Sequence, residues 1–358
     1  MSNQKRLYVD IHVLQTVPPS CVNRDDTGSP KTAIYGGVRR ARVSSQSWKR
    51  AVRLAFRDMY APEDLAMRTK RIVRMVQRHI SDLDTGADAE ALAVKALQAA
   101  GLSISEKDLD KGTEALFFMS EAQAAALAKI AVEEPEKLKD KEVCKTALKD
   151  HASIDLALFG RMVASDASLN YDAAAQVAHA ISTHSVQNEF DYFTAVDDLS
   201  PEDNAGAGHL GTVEFNSSTL YRYATVNVEE LKASLAETTP TAVRSFIEAF
   251  VCSMPTGKQN TFANRTLPDA VCVTVRRDQP VNLVGAFEQP VPADAGGGFV
   301  NGSIARFNTY ARKVYTDYTD EPACAWTVGM ETDGAERMPL PALLDAVEAF
   351  LTTEMSKG

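Results

Sequence analysis

The first clear pattern in the chain is an alternation. Leu7, Val9, Ile11 and Val13 point one way and Tyr8, Asp10 and His12 the other, which predicts a half-buried strand. A polar stretch from Pro18 to Pro30 interrupts it. Tyr35-Gly36-Gly37 then predicts a tight turn, with Val38 to Val43 extended behind it. The period next changes from two to 3.6. Trp48, Ala51, Val52, Ala55, Phe56 and Met59 recur at helical spacing, behind a serine cap at Ser44 or Ser45. Lys49, Arg50, Arg53 and Arg57 fall on the opposite side of that helix.

From Met59 to about Asp150 the chain is rich in Ala, Glu, Lys and Leu and poor in strand signals, which predicts a helical insertion. One helix there stops at Gly101. Another opens with the capping-box spacing of Ser120 to Gln123 and must end before Pro135. Within the insertion, Arg68, Lys70, Arg71, Arg74 and Arg78 form a second, weaker basic face. Gln176 to Ser185 reads as a short helix. Gln187 to Tyr223 reads as a long arm with sticky aromatic ends and a Pro, Gly and Asp-rich middle. Thr219 to Val228 and Ala270 to Val275 read as strands, and Thr241 to Ser253 and Pro341 to Met355 as helices. Strands and helices mix without strict alternation, so the expected class is α+β rather than doubly wound α/β.

Charge changes the picture most. Residues Thr27 to Arg57 hold eight positive charges and no acid, inside a chain whose net charge is −10. Subtracting those eight leaves −18 on the remainder, so the island is a single-sign field suited to a polyanion. Basic residues at a helix start oppose the macrodipole, and a bound phosphate removes that conflict.

Other chemistry is thin. The five cysteines are scattered singly, without a C-x-x-C pair, which argues for free thiols in a reducing compartment and against structural zinc. Gly257-Lys258 is like the end of a phosphate loop, but Cys252 occupies the upstream glycine position and Gln259 the hydroxyl position. Lys258 remains able to touch a phosphate. Six histidines lack metal-ligand spacing. Asp25-Asp26 lies beside the island, where a carboxylate pair either holds a divalent ion or pairs with Arg24 or Arg42, the structural role being preferred. No stretch approaches the ~20 apolar residues of a membrane span, and no signal peptide is evident, so cytoplasmic residence is expected.

The strings CVNRDD, KTAIYGGVRRARVSSQSWKRAVR, LALFGRM, AHAIST, DYFTAVDDL, HLGTVEFNSSTLYRYATVNV and MPTGKQNTFA occur in order. Together they resemble the CasC family, the repeated backbone subunit of Cascade, the type I-E CRISPR surveillance complex. The resemblance runs from the first strand to about Ala263 and is weaker in the insertion and the C-terminal third. It implies a hand-shaped RAMP-type protein. A ferredoxin-like, RNA-recognition-type palm would take residues 1–58, 151–186 and 224–358. A helical fingers insertion would take 59–150 and a thumb arm 187–223. Copies would stack head to tail as a homo-oligomer along CRISPR guide RNA (crRNA), beside other Cascade subunits. The guide bases would stay open for target DNA in antiviral defence.

Carried over by motif, Arg24, Lys31, Ser44, Gln46, Lys49, Arg50 and Arg53 match guide-backbone contacts in the family. Arg161 and Met162 fall in the matching GRM segment. Tyr192, Phe193 and Val196 fall in the thumb segment that wedges between nucleotides, Tyr192 standing where an aromatic such as Trp is expected. Arg39, Arg40 and Arg42 join on charge alone. The resemblance implies no cofactor, no metal and no catalysis. The competing expectation is a metal-dependent ribonuclease of the type III backbone kind, using Asp25 or Asp26.

Overall fold

In the computed structural model, residues 6–84, 86, 88–105, 112–194 and 210–357 are described. The strands are β1 (Tyr8–Ser20), β2 (Thr32–Tyr35), β3 (Val38–Val43), β4 (Ala66–Thr69), β5 (Phe117–Ser120), β6 (Ala175–Val177), β7 (Ala180–Ser182), β8 (Glu189–Thr194), β9 (Leu210–Asn227), β10 (Ala270–Arg276), β11 (Cys324–Val328) and β12 (Glu336–Arg337). The α-helices are α1 (Ser45–Met59), α2 (Ile72–Leu83), α3 (Ala89–Ala99), α4 (Glu121–Glu133), α5 (Lys141–Lys149), α6 (Ile154–Phe159), α7 (Val228–Leu235), α8 (Thr239–Cys252), α9 (Gln259–Phe262), α10 (Val300–Asp317) and α11 (Leu340–Ser356). The class is α+β, with a large mixed sheet.

The chain divides into two compact units. One takes Met1–Val52, Val177–Thr225 and Phe246–Gly358, the other Arg53–Gln176 and Val226–Ser245. The helical insertion therefore runs further than its composition suggests. Residues 151–176, expected with the palm, cluster with it, as do 226–245.

The first unit is built on a sheet of order β12-β11-β10-β1-β9-β7-β3-β2. Pairing is antiparallel for β1 with β10, β10 with β11, β7 with β9 and β3 with β7, and parallel only for β11 with β12 among the pairings described. Within it, β10-β1-β9-β7 are neighbours in space, while α1 lies between β1 and β7 in the chain and α8 between β9 and β10.

β1 does not have the expected one wet face. Asp10 and His12 are buried along with Val9, Ile11 and Val13. The reason is α10, which the pattern of residues 299–340 leaves unassigned: its Phe307 meets the His12 ring edge-on at 5.3 Å. Asp10 and one nitrogen of His12 on that face are satisfied locally, while His12 Nε2 has no partner. Asp10 accepts from the Tyr223 hydroxyl at 2.9 Å and the Val281 amide at 2.8 Å, and Tyr221 pairs with His12 Nδ1 at 2.9 Å. Burial pulls His12 down to about 3, so it is neutral in the fold. The segment 176–185 is not a helix but the strands β6 and β7. Ile181 and Ser182 pair with Tyr221 and Leu220, and sheet pairing outweighs the weak local helix preference.

The β2–β3 turn forms as expected, with Gly36 at φ +59° and Gly37 at φ +76°. A Cβ on Gly36 would stand 1.6 Å from the Glu288 carbonyl oxygen, so this position admits only glycine.

The second unit packs α2, α3, α4 and α5 around Ile72, Val76, Ile80, Leu97, Met119, Leu127 and Leu148. The capping box is made as expected: Ser120 Oγ accepts from Gln123 N at 3.1 Å, and Gln123 Oε1 accepts from Ser120 N at 3.2 Å. An unexpected two-stranded ladder, β4 with β5, joins these helices.

Candidate nucleic-acid interface

The cationic island folds as a hairpin followed by a helix, and one asparagine ties its pieces together. Asn23 Oδ1 accepts from the Ser44 backbone N–H at 2.9 Å. The Asn23 carbonyl accepts from Lys31 N at 2.8 Å, and the Lys31 carbonyl from Arg42 N at 2.9 Å. Arg24 bridges to Pro30 in the same loop. Ser44 then caps α1, its hydroxyl accepting from Ser47 N at 3.3 Å, and no acid follows in the first turn. The start of α1 thus keeps its positive dipole end uncompensated by any acid of its first turn.

Trp48, Ala51 and Val52 are buried, while Gln46 and Arg50 are exposed and Lys49 is half-buried. Burying a large apolar side chain gains about 1.5–3 kcal/mol, so Trp48 alone suffices to seat this face of the helix. Burial also lowers the Lys49 ammonium from its ordinary value. Arg24, Lys31, Arg42, Ser44, Gln46, Lys49 and Arg50 therefore lie on one continuous stretch of pinned loop, strand and helix start. Arg39 is exposed on β3 opposite Ile34.

Three of the expected contact residues are engaged inside the protein. Arg40 is fully buried: its guanidinium donates to the carbonyls of Tyr35, Ser182, Phe287 and Glu288, so it closes the hairpin instead of facing solvent. Arg161, 5% exposed, donates to the carbonyls of Leu169, Phe118 and Leu148 and to Gln123 Oε1. It lies over the Phe117 ring at 4.6 Å and joins the parts of the second unit. Only its neighbour Met162, 84% exposed, is presented outward. Arg53 is held by Asp155 at 3.5 Å and sits over the Phe118 ring at 4.3 Å. Asp155 also accepts from the Ala66 amide and the Ser153 hydroxyl, each at 2.8 Å, so Arg53 neutralises a buried acid.

The arm is a ribbon where it is described. β8 pairs antiparallel with β9, Phe190 opposite Glu214, Tyr192 opposite Thr212 and Phe193 opposite Gly211. Strand alternation puts Phe190 and Tyr192 on one face, 66% and 64% exposed, and Phe193 on the other. Phe193 packs against Gly211, where a Cβ would come within 2.3 Å of its ring. Val196 lies outside the described residues.

Asn23, His179 and Phe190 escape a reading of the sequence as site residues. Asn23 acts across twenty-one positions, a spacing no local pattern carries. His179 Nδ1 accepts from the Arg42 guanidinium at 3.2 Å, taking the neutral form. Burial, then Arg42 and Lys31, lower its pKa from the ordinary value. Lys258 takes a left-handed backbone at φ +50°, and Gly257 packs so closely on Val22 that a Cβ would stand 2.0 Å from its carbonyl oxygen. Lys258 and Arg24 both act on Cys21, which places Lys258 beside the island's loop.

Asp25 is a turn former. One carboxylate oxygen accepts from the Thr27 amide and hydroxyl and the Ser29 amide, and these bonds, the Thr27 hydroxyl first, lower its pKa. Among the described residues no group of three or more His, Cys, Asp or Glu side chains is placed to hold a metal. Among the same residues no helix is long and apolar enough to cross a membrane, and all five cysteines are free thiols.

The fold and this surface define an α+β protein with a helix-borne cationic face of the kind that takes a polyanion. The chain belongs to the CT1975-like protein family, whose model matches residues 9–349. It is similar to a chain of a CRISPR RNA-guided surveillance complex solved in a pre-nicking state, with 34% identity and a TM-score of 0.78, covering 96% of this chain and 99% of that one. It is also similar to a chain of a second structure of a CRISPR RNA-guided surveillance complex, with 31% identity and a TM-score of 0.63 over the same shares. No curated protein matches.

Proposed function

We propose that this protein is the guide-RNA-binding backbone subunit of a CRISPR surveillance complex of the Cascade kind, type I-E, and that it is not an enzyme. The observation that carries the reading is the pinned, acid-free start of α1 with its cations, in a chain alike over 96% of its length to a chain of such a complex. The strand order β10-β1-β9-β7, with α1 and α8 as connections, matches a split βαβ, ferredoxin-like palm. The second unit then serves as fingers and the β8–β9 ribbon as a thumb. Cations meet the sugar–phosphate backbone, exposed rings meet bases, and few base edges are read. Guide pairing, not protein, selects the target DNA. Copies stack head to tail in the cytoplasm, with other Cascade subunits as partners.

Nucleic acid that copurifies with the assembled protein tests this directly. A discrete short RNA on a denaturing gel is the expected result, and a smear of mixed lengths or DNA alone overturns it. Magnesium and an RNA complementary to the guide are expected to give no cleavage. Regularly spaced cuts that vanish in Asp25→Asn or Asp26→Asn would establish the ribonuclease instead.

Proton linkage at His179 gives a second test. In the free protein its pKa lies below the ordinary ~6.5, held down by burial, Arg42 and Lys31. A phosphate beside Arg42 and Lys31 raises it, so RNA binding takes up a proton. RNA affinity therefore rises as pH falls from about 7.5 to about 5.5, by several-fold at fixed salt. His179→Gln flattens that profile. An unchanged profile in the variant would remove His179 from the surface. Without RNA the sign is opposite: the lowered pKa makes the fold lose stability as pH drops below about 6.5.

A further inference from the structure

Arg222 stands on β9 with 1% of its side chain exposed. Its guanidinium lies 3.7 Å from the centre of the Trp48 ring and 4.5 Å from that of Phe250. One Nη donates to Gln15 Oε1 at 2.6 Å and the other to the Phe250 carbonyl. Its Nε and the Trp48 Nε1 have no hydrogen-bond partner. Among the described residues no carboxylate pairs with it. The ionisable group that acts on it is the Cys252 thiol, itself pushed up by burial and so uncharged at neutral pH. Arg276 is the contrast: equally buried, it is gripped by Asp278 at 2.7 Å. Burial pulls Arg222 down to about 9, which still leaves it charged at neutral pH.

An unpaired buried cation is costly, and sequences rarely keep one without a use. The ring it presses is the anchor of α1, whose outer positions Gln46, Lys49 and Arg50 form the cationic face. The charge thus sits behind the helix, within ~10 Å of that face. The intervening medium is packed protein, which screens far less than salt water.

We propose that Arg222 is a positioning residue for the RNA surface: it clamps Trp48, and with it the start of α1, and lends the face an unpaired positive charge from behind. The proposal rests on the guide-RNA reading above. A phosphate on the face supplies the counter-charge that the fold withholds, so RNA relieves an electrostatic cost carried by the free protein.

Arg222→Met keeps the length and apolar contact and removes the charge; Arg222→Lys keeps the charge and removes the planar fork. Affinity for a labelled single-stranded RNA is measured against salt, with the melting temperature of each free protein. The Met variant is expected to bind about tenfold more weakly with an unchanged salt slope, because Arg222 touches no phosphate and releases no counterion. Its free-state melting temperature is expected to fall, since Gln15 Oε1 and the Phe250 carbonyl lose their donor, so affinities are compared at a temperature where each free protein is folded. The Lys variant binds between the two. Met binding within twofold of wild type overturns the proposal, as does an equal loss in both variants at that temperature. Should the Met variant not fold, the Lys variant decides: retained affinity supports the charge, and a tenfold loss with an intact fold sinks it. A wild-type protein that does not bind the RNA fails the guide-RNA reading itself, which is a separate result.

Discussion

Replacing Lys31, Lys49 and Arg50 together with alanine is expected to weaken binding of a single-stranded RNA by roughly 10³-fold or more at low salt, each charge-assisted contact contributing about 1.5 kcal/mol or more. The slope of log affinity against log salt should fall by about two, at ~0.7 per phosphate for a single strand. The protein should stay folded. Arg50 is exposed and Lys31 and Lys49 are half-buried, and the cap of α1 is made by Ser44 and Asn23, which the variant retains. Arg53 is left out deliberately. Its removal would strand Asp155 in the core without its partner, a loss of about 3–5 kcal/mol that would mimic failed binding through unfolding. Affinity within threefold of wild type, measured on folded triple variant, would place the RNA elsewhere.

Arg161→Met is expected to damage the second unit rather than the RNA surface. The substitution removes the donor shared by the carbonyls of Leu169, Phe118 and Leu148 and the side-chain oxygen of Gln123, of which the Leu148 carbonyl keeps Gln123 Nε2 and the Gln123 oxygen keeps Ser120 N. Buried acceptors that lose their donor cost about 1–3 kcal/mol each, so with two of them a total of at least about 2 kcal/mol is expected. The Phe117 ring also loses its cation. Urea unfolding should show the loss, and hydrogen exchange should place it in α4 and α5. Stability within about 1 kcal/mol of wild type, combined with weaker RNA binding, would return Arg161 to the interface. Met162→Ala, at an exposed neighbour, should leave stability within about 0.5 kcal/mol.

The contrast between these two arginines shows what a sequence carries. Arg50 and Arg161 are the same residue type, and both fall in strings that resemble the family's guide-contacting segments. Helical spacing separates Arg50 from its buried neighbours Ala51 and Val52 at once, because the period of α1 is legible over fifteen residues. Nothing local says that Arg161 turns inward. Its acceptors come from residues 8, 13, 38 and 43 positions away. Arg40 makes the same point: its acceptors include carbonyls 142, 247 and 248 positions distant. The expected helix over 176–185 fails for a similar reason, since β7 is fixed by its partners on β3 and β9.

Local chemistry alone determined the acid-free island, the capped basic helix with Trp48 inward, the Gly36-Gly37 turn and the capping box at Ser120, because each depends on neighbours within one or two turns of chain. Tertiary structure alone decided which cations face outward, that Asn23 and His179 belong with the island, and that Arg222 lies unpaired behind Trp48. Those outcomes depend on desolvation and on hydrogen-bond acceptors brought together from distant segments, and burial sets the fate of a charge only once the sheet and its covering helices have formed.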